Sequence, residues 1–567
     1  MPRSDPPLTV PELLAARAAR EPERPAVLDA AGTTLTFGAW HARSLRLARA
    51  LHARGLPPGG RVALPWGEDW TGYAVAFCAV LAAGGVAVPL SATLPDRQAA
   101  ATLHRIGAAA VLHPAGHVPP AGPWWTADPD TLAAVDDTAE LPPVRAGDLA
   151  QIVCTSGSTG TPKEVAATHG NLCHGHRTDP RPRRYAHSEA MLHAFPIGTN
   201  AAQMMLIEAL TAHPALLCAG RFDADGFCAL IERHRVGTVF LVPATAAELL
   251  RSGAADRYDL GGVHLVSSSA AALPPAVARR LADAFPRAVL VNYYTSTEAV
   301  PAQVSMIVDP ARPDSLGRPA DPRDLRIADP DGRPLPPGKT GEVWLRSDAP
   351  PRRYAGDPDA SAAVFRDGWV RMGDLGRIDA SGHLCLVDRE SDVIKSGALK
   401  VSTLRIEAAL LEHPAVAEAA AVGLPHAVMG AVPAAVIRAD RPLDLDELRD
   451  FLAERLARPE LPVRILPVDR LPRTETGKPV KPEIRRLLQA PADARPAAEP
   501  VVEPGPEPAP IGDPFARPFL GALGPTDAAA PERDPFGRSF LDALAPAAAP
   551  EPDPSHPRTE ARPDVRQ

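Results

Sequence analysis

The chain has 567 residues, 45% of them hydrophobic, and a formal net charge of −8. That length exceeds one ordinary domain, and the composition supplies large cores. The acidic balance excludes a protein that binds nucleic acid through its overall charge. Six cysteines without a C-x-x-C pair, an N-terminus unlike a signal peptide and no apolar run long enough to span a bilayer predict free thiols, no membrane span and a cytoplasmic location.

From residue 10 to about 387, helical patterns alternate with short Val/Leu/Ile runs at 61–65, 85–90, 149–154, 237–242 and 288–292. Buried runs without strict alternation, set between helices, predict an α/β fold with layered, largely parallel sheets. The apolar stretch 73–90 is broken by Gly84 and Gly85 and reads as helix, turn, strand. A β-rich part is expected from about 324 to 387, with turn signals Asp-Pro-Asp-Gly at 329–332 and Asp-Ala-Ser-Gly at 379–382. The domains are expected at 1–388 (large, N-terminal), 389–488 (small, mobile, α+β) and 489–567 (a Pro/Ala-rich tail). In the small unit the pattern predicts a helix over 404–412, strands over 416–422 and 431–438, and a helix over 444–457.

The tail is rich in Pro, Ala, Glu and Asp and is expected to be disordered. Two copies of D-P-F-x-R-x-F-L-x-A-L begin at Asp513 and Asp534. Asp then Pro is a helix start, and Phe515, Phe519 and Leu523 fall one helical turn apart, as do Phe536, Phe540 and Leu544. Duplicated apolar anchors in such a segment predict bivalent docking of a protein partner.

Chemistry concentrates in five motifs. The first, Thr-Ser-Gly-Ser-Thr-Gly-Thr-Pro-Lys at 155–163, follows a buried strand. Gly157 and Gly160 let backbone N–H groups approach an anion. Thr155, Ser156, Ser158 and Thr159 add hydroxyl donors, and Lys163 adds a charge. The spacing is not that of a Walker loop. The second, Asn292-Tyr293-Tyr294-Thr295-Ser296-Thr297-Glu298, lies at a strand's carboxyl end, where open α/β sheets bind ligands. Glu298 suits Mg²⁺ beside phosphates, Thr297 suits a phosphate oxygen, and a tyrosine there suits adenine stacking. The others are Val-Arg-Met-Gly-Asp-Leu-Gly at 370–376, Asp-Arg-Glu-Ser-Asp-Val-Ile-Lys-Ser-Gly at 388–397, and Pro-Arg-Thr-Glu-Thr-Gly-Lys-Pro-Val-Lys at 472–481.

Together, in register from about residue 8 to about 488, these motifs resemble the adenylate-forming superfamily of acyl- and aryl-CoA synthetases, peptide-synthetase adenylation domains and luciferases. The resemblance implies ATP and Mg²⁺ as cofactors, a small carboxylic acid as substrate, and a thiol acceptor, either CoA or the phosphopantetheine of an acyl carrier protein. It gives Asp374 to the ribose hydroxyls, Arg389 to ribose and phosphate, Ser391 to the hinge, Gly397 to the thiol's approach and Lys478 to catalysis. The stretch 268–273 corresponds to a Ser-Gly-Gly-Ala-Pro-Leu segment beside adenine and the acyl pocket, which brings in Ala271. Departures are Ser269 and Ala270 for two glycines, Thr295 for a glycine, and Glu164 beside Lys163. The first three predict a narrow acyl pocket, the last a weakened hold on phosphate. No acid occupies 194–203, where amino-acid-activating members place an aspartate. A non-amino acid is therefore expected, with Thr199 and Asn200 bonding a polar group on it. The competing readings are a stand-alone amino-acid adenylation enzyme and a non-catalytic scaffold acting through the tail.

Overall fold

The computed structural model describes residues 8–133, 140–155, 162–179, 181–397, 399–474 and 477–490. The tail repeats and most of the glycine-rich loop, Ser156, Gly157, Ser158, Thr159 and Gly160, lie outside them.

Two sheets with parallel centres build most of the large domain, the first antiparallel at one edge and the second at both. In the first, Arg61–Trp66 pairs in parallel with Val86–Ser91 and Ala110–Leu112, and Leu149–Thr155 pairs antiparallel with Lys163–Thr168. In the second, Ala190–His193, Thr238–Leu241, Leu265–Ser268 and Val289–Tyr294 run parallel, and Val304–Ile307 closes the edge antiparallel. The expected runs at 61–65, 85–90, 149–154, 237–242 and 288–292 are all strands, within a residue or two of their bounds. The apolar stretch at 73–90 is helix Trp70–Ala82, a turn with Gly84 at φ +75°, then strand Val86–Ser91. Twelve residues of that helix are buried, because it is apolar on every face and has sheets on both sides.

Helix Asn200–Ala209 runs through this layer and matters for the site. Gln203 at its middle is buried and fully engaged. Its Oε1 accepts from Tyr73 Oη at 2.7 Å and from Gln151 Nε2 at 2.9 Å, and its Nε2 donates to the Ile197 carbonyl. A hydrogen-bonded network in an apolar layer fixes the helix in rotation and depth, although Gln151 Oε1 is left without a partner among the described residues.

The β-rich part is an antiparallel sheet of Ser315–Gly317, Leu384–Arg389, Trp369–Ile378, Gly341–Arg346 and Leu325–Ala328. In the small unit, Val416–His426 and Gly430–Ala439 form a long hairpin packed by helices Thr403–Leu411, Leu445–Ala453 and Lys481–Gln489. Both strands outrun their expected bounds because the pairing continues to His426 opposite Gly430. Strand Arg464–Pro467, unforeseen, joins in parallel; four residues are too few for a clear period. All six cysteines are free, and every one but Cys154 is buried. Among the described residues, no helix is long and apolar enough to cross a membrane.

Candidate active site

A cleft of about 1560 Å³ separates the large domain from the small one. Its walls carry Thr199, Asn200, Ser269, Ala270, Ala271, Tyr293, Thr295, Ser296 and Thr297 from the large domain, and Arg473, Thr474, Gly477 and Lys478 from the small one.

Strand pairing brings the motif residues together. Asp374 and Arg389 face each other across the antiparallel pair Trp369–Ile378 and Leu384–Arg389. Arg389 Nε stands 3.5 Å from Asp374 Oδ1, and Tyr294 Oη donates to Asp374 Oδ2 at 2.6 Å. Asp374 is only 6% exposed, and burial raises its pKa above the ordinary carboxylate value, with Arg389 and the Tyr294 bond opposing. Lys478 enters the same group: burial, then Arg389, lower its pKa, while Asp374 and Glu298 raise it. Three of the five motifs and the catalytic-lysine candidate thus meet at one point, although 180 positions separate Glu298 from Lys478.

The lysine's loop is clamped. Thr474 N–H donates to the Lys478 carbonyl at 2.8 Å, and Lys478 N–H to Thr474 Oγ1 at 3.1 Å. Arg473 donates to the Gly477 carbonyl and pairs with Glu418 at 2.6 Å, which also holds Arg438 at 2.7 Å. Ser391 and Gly397 are exposed and take no part in the walls of the cleft. Gly397 has φ +60°, so a left-handed turn is what demands glycine in this arrangement.

At the phosphate-loop end, Lys163 Nζ lies 4.7 Å from the Tyr354 ring centre, and Tyr354 Oη donates to Glu298 Oε1 at 2.9 Å. Tyr354 reaches them because Arg353–Tyr354 pairs antiparallel with Lys163–Thr168. Glu164 does not crowd Lys163. Neighbours on a strand point to opposite faces, and Glu164 is buried on the other side, 2.7 Å from Arg105 Nε. The expected weakening has no structural basis. Thr155 ends the preceding strand, its Oγ1 3.4 Å from the Lys163 carbonyl.

The same alternation separates the two tyrosines. Tyr294 turns to Asp374, whereas Tyr293 lines the cleft, within electrostatic reach of Arg184 and Glu208. Grouped with the nucleotide on sequence, Tyr293 stands with another set of residues. Asn292 is buried in the strand, its Oδ1 unpartnered among the described residues. Thr295 Oγ1 donates to the Ala302 carbonyl at 2.7 Å, and Ser296 Oγ accepts from Ala299 N–H at 3.3 Å, so both hydroxyls serve the loop.

Thr199 and Asn200 also have structural duties. Thr199 caps helix Asn200–Ala209, its Oγ1 accepting from Ala202 N–H at 3.2 Å and donating to the Pro196 carbonyl at 2.8 Å. Asn200 Oδ1 accepts from Arg352 Nη1 at 2.8 Å. Arg352, which no motif singled out, is 2% exposed and also bonds Asn171 Oδ1 and the Thr297 carbonyl, at 2.8 and 2.9 Å. Burial lowers its pKa to about 10, and its Nη2 has no partner among the described residues. Only the fold brings this cation to Thr297, 55 positions earlier.

Ala270 sits in the cleft wall with φ +72°. A left-handed alanine costs about 1–2 kcal/mol, and glycine returns part of that as chain entropy. Ala270→Gly is expected to stabilise the large domain by about 0.5–1 kcal/mol and to widen the wall. A denaturation midpoint at or below that of the wild type would show that the strain is absent.

Two family models match the chain: AMP-binding enzyme over residues 14–355, and AMP-binding enzyme C-terminal domain over 405–478. A feruloyl-CoA synthase from Amycolatopsis sp. is 33% identical over 467 residues, covering 80% of this chain and 94% of that protein. A sulfoacetate–CoA ligase from Cupriavidus necator is 32% identical over 495 residues, covering 83% and 96%. The o-succinylbenzoate CoA synthetase of Bacillus subtilis, solved with its acyl-adenylate intermediate, superposes with a TM-score of 0.72 at 25% identity, covering 85% and 98%.

Proposed function

The chain belongs to the AMP-binding, adenylate-forming enzymes, and on that premise we propose that it is an acid–CoA ligase for an aryl carboxylic acid. The carboxylate attacks the α-phosphate of ATP to give an acyl-adenylate and pyrophosphate. The CoA thiol then takes the acyl group and releases AMP. The observation that carries this reading is the placement of Lys478, half-buried in the cleft wall and within electrostatic reach of Asp374, Arg389 and Glu298.

Each residue then has a task. Lys478 bridges the carboxylate and the α-phosphate and stabilises charge as pyrophosphate leaves. Asp374 accepts from the ribose hydroxyls, with Arg389 beside it and the Tyr294 ring next to the base. Glu298 holds Mg²⁺. A single carboxylate fits this ion, which takes one or two protein carboxylates and fills its shell with phosphate and water oxygens. When bound, Mg²⁺ neutralises triphosphate charge. Lys163, with the loop at 156–160, holds the outer phosphates. After adenylation the small domain, bounded at 388/389, turns about Ser391, withdraws Lys478 and presents Gly397 to the thiol.

The aryl assignment rests on the cleft's inner walls, where Met204, Met205, Phe240 and Tyr293 offer flat and polarisable surface. An α-amino acid fits poorly. Arg352 stands on Asn200, and the nearest acid on that helix, Glu208, is held by Arg184 at 3.0 Å. An ammonium near Asn200 would face a cation.

Asp374 gives this reading a pH signature. Only the ionised carboxylate accepts two O–H bonds, and its pKa is raised. ATP affinity is therefore expected to fall as pH drops from neutral through that raised value, at higher pH than an ordinary aspartate would give. Calorimetric titration with ATP across this range checks it, and Asp374→Asn is expected to abolish the dependence. For the function itself, purified protein is incubated with ATP, Mg²⁺, CoA and one acid at a time from aryl, short-chain, long-chain and amino-acid sets. Thioesters from aryl acids are expected. Turnover of amino acids alone would overturn the assignment.

A further inference from the structure

The inner end of the cleft holds a polar cluster that the chemistry above does not use. Arg184, Tyr185, Glu208 and Tyr293 all line it. Arg184 Nη1 donates to Glu208 Oε2 at 3.0 Å. Glu208 is 7% exposed, and its other oxygen, Oε1, is buried with no partner among the described residues. The phenols of Tyr185 and Tyr293 both feel the charges of Arg184 and Glu208, and burial raises the pKa of each. A buried acceptor left without a partner is costly. The terminal torsion of a glutamate is soft enough to turn either oxygen toward the cleft.

Helix Asn200–Ala209 sets the distance. Asn200, Met204 and Glu208 fall on one face, four residues apart, and all three line the cleft. Asn200 stands, through Arg352, beside Thr297 at the reacting end. Glu208 lies eight residues on, about 12 Å along the axis. An aromatic ring with a two-carbon spacer to its carboxyl spans roughly 9 Å to a para oxygen at bond lengths near 1.5 Å. The remaining distance of about 3 Å is the length of one hydrogen bond, to Glu208.

Charge selects the group that fits. Arg184 and Glu208 cancel each other. Burial lowers the pKa of nearby His176 to about 4, so it is neutral at pH 7, and its Nδ1 is engaged with Thr211 Oγ1 at 2.7 Å. A second carboxylate on the substrate would meet Glu208, and an ammonium would meet Arg184. A neutral hydroxyl meets neither penalty, because it donates to Glu208 and accepts from Arg184 or a phenol.

We propose that Arg184, Tyr185, Glu208 and Tyr293 form a recognition site for a neutral hydroxyl at the end of the acid remote from its carboxyl. The proposal rests on the aryl-acid reading and narrows it to hydroxylated aryl acids, excluding acids with a second negative charge there. Glu208 donates the specificity and takes no part in bond making.

The test compares kcat/KM for 3-phenylpropenoic acid and its 4-hydroxy and 4-carboxy derivatives, in the wild type and in Glu208→Gln. A hydrogen bond to a charged group contributes about 1.5–3 kcal/mol, so the wild type is expected to prefer the 4-hydroxy acid over the plain acid by roughly 10- to 100-fold. Glu208→Gln is expected to shrink that preference to within about three-fold and to leave the plain acid's kcat/KM within about three-fold. It is also expected to gain activity on the 4-carboxy acid, since Arg184 is then free to meet it; misfolding cannot produce a gain. An unchanged preference and an unchanged rejection of the 4-carboxy acid in Glu208→Gln would overturn the proposal. Turnover of none of the three acids by the wild type would overturn the aryl reading beneath it.

Discussion

Lys478→Ala is expected to slow acid-dependent ATP–pyrophosphate exchange by about 10²- to 10³-fold, the usual loss when a preorganised group that stabilises transition-state charge is removed. The side chain is half-buried in the cleft, within electrostatic reach of Asp374, Arg389 and Glu298. Desolvation and then Arg389 lower its pKa, and Asp374 and Glu298 oppose that shift only in part. Thioester formation from supplied acyl-adenylate is expected to stay within a few-fold of wild type, because Lys478 is withdrawn for that step. Equal loss in both half-reactions would show that the lysine supports the fold or both conformations, and would remove its assigned role.

Gly477→Ala is expected to produce nearly the same split by a different route. Gly477 has φ +78°, and a Cβ there would lie 2.8 Å from Ala244 Cβ. Ala244 belongs to helix Pro243–Ser252, so its Cβ is fixed by backbone and cannot swing aside. The loop carrying Lys478 must lift away from the large domain. A displacement of about 1 Å at a reacting group costs roughly 10²-fold. Exchange is expected to fall by that factor, while thioester formation from supplied adenylate persists. Adding Ala244→Gly is expected to restore part of the exchange, since it removes the clash but leaves the strained φ. Full exchange activity in Gly477→Ala alone would show that this contact does not position the lysine.

Much of this site was legible in the chain. Lys163, Glu298, Asp374, Arg389 and Lys478 stand in short motifs whose glycines and hydroxyls mark loops, and buried runs such as 149–154 and 288–292 placed two of those loops after strands. The missing parts are side chains that meet only through folding. Arg352 has no local signature, and its partners Asn171, Asn200 and Thr297 come from three distant segments. Glu164 looked harmful because adjacency in sequence was read as adjacency in space; strand alternation sends it to Arg105. The same rule, applied to the run ending at Tyr294, would have parted Tyr293 from Tyr294. Glu208 was within reach, since Asn200, Met204 and Glu208 follow the i, i+4, i+8 rule of a helix face. Its partner Arg184, 24 positions earlier, was not.

The strained and clamped positions share a direction. Ala270 at φ +72° and Thr295 in place of a glycine both add atoms to the cleft wall, and the Arg473–Glu418–Arg438 network holds the lysine loop against it. Strain of this kind persists where surrounding structure over-determines it, which is common where geometry must be exact.

Acid-dependent ATP–pyrophosphate exchange by the purified full chain, with CoA omitted and 3-(4-hydroxyphenyl)propenoic acid as the acid, tests the central claim most directly. The account predicts exchange that requires both the acid and Mg²⁺. Binding of ATP without exchange, with this acid and with every other acid of the panel, would contradict it.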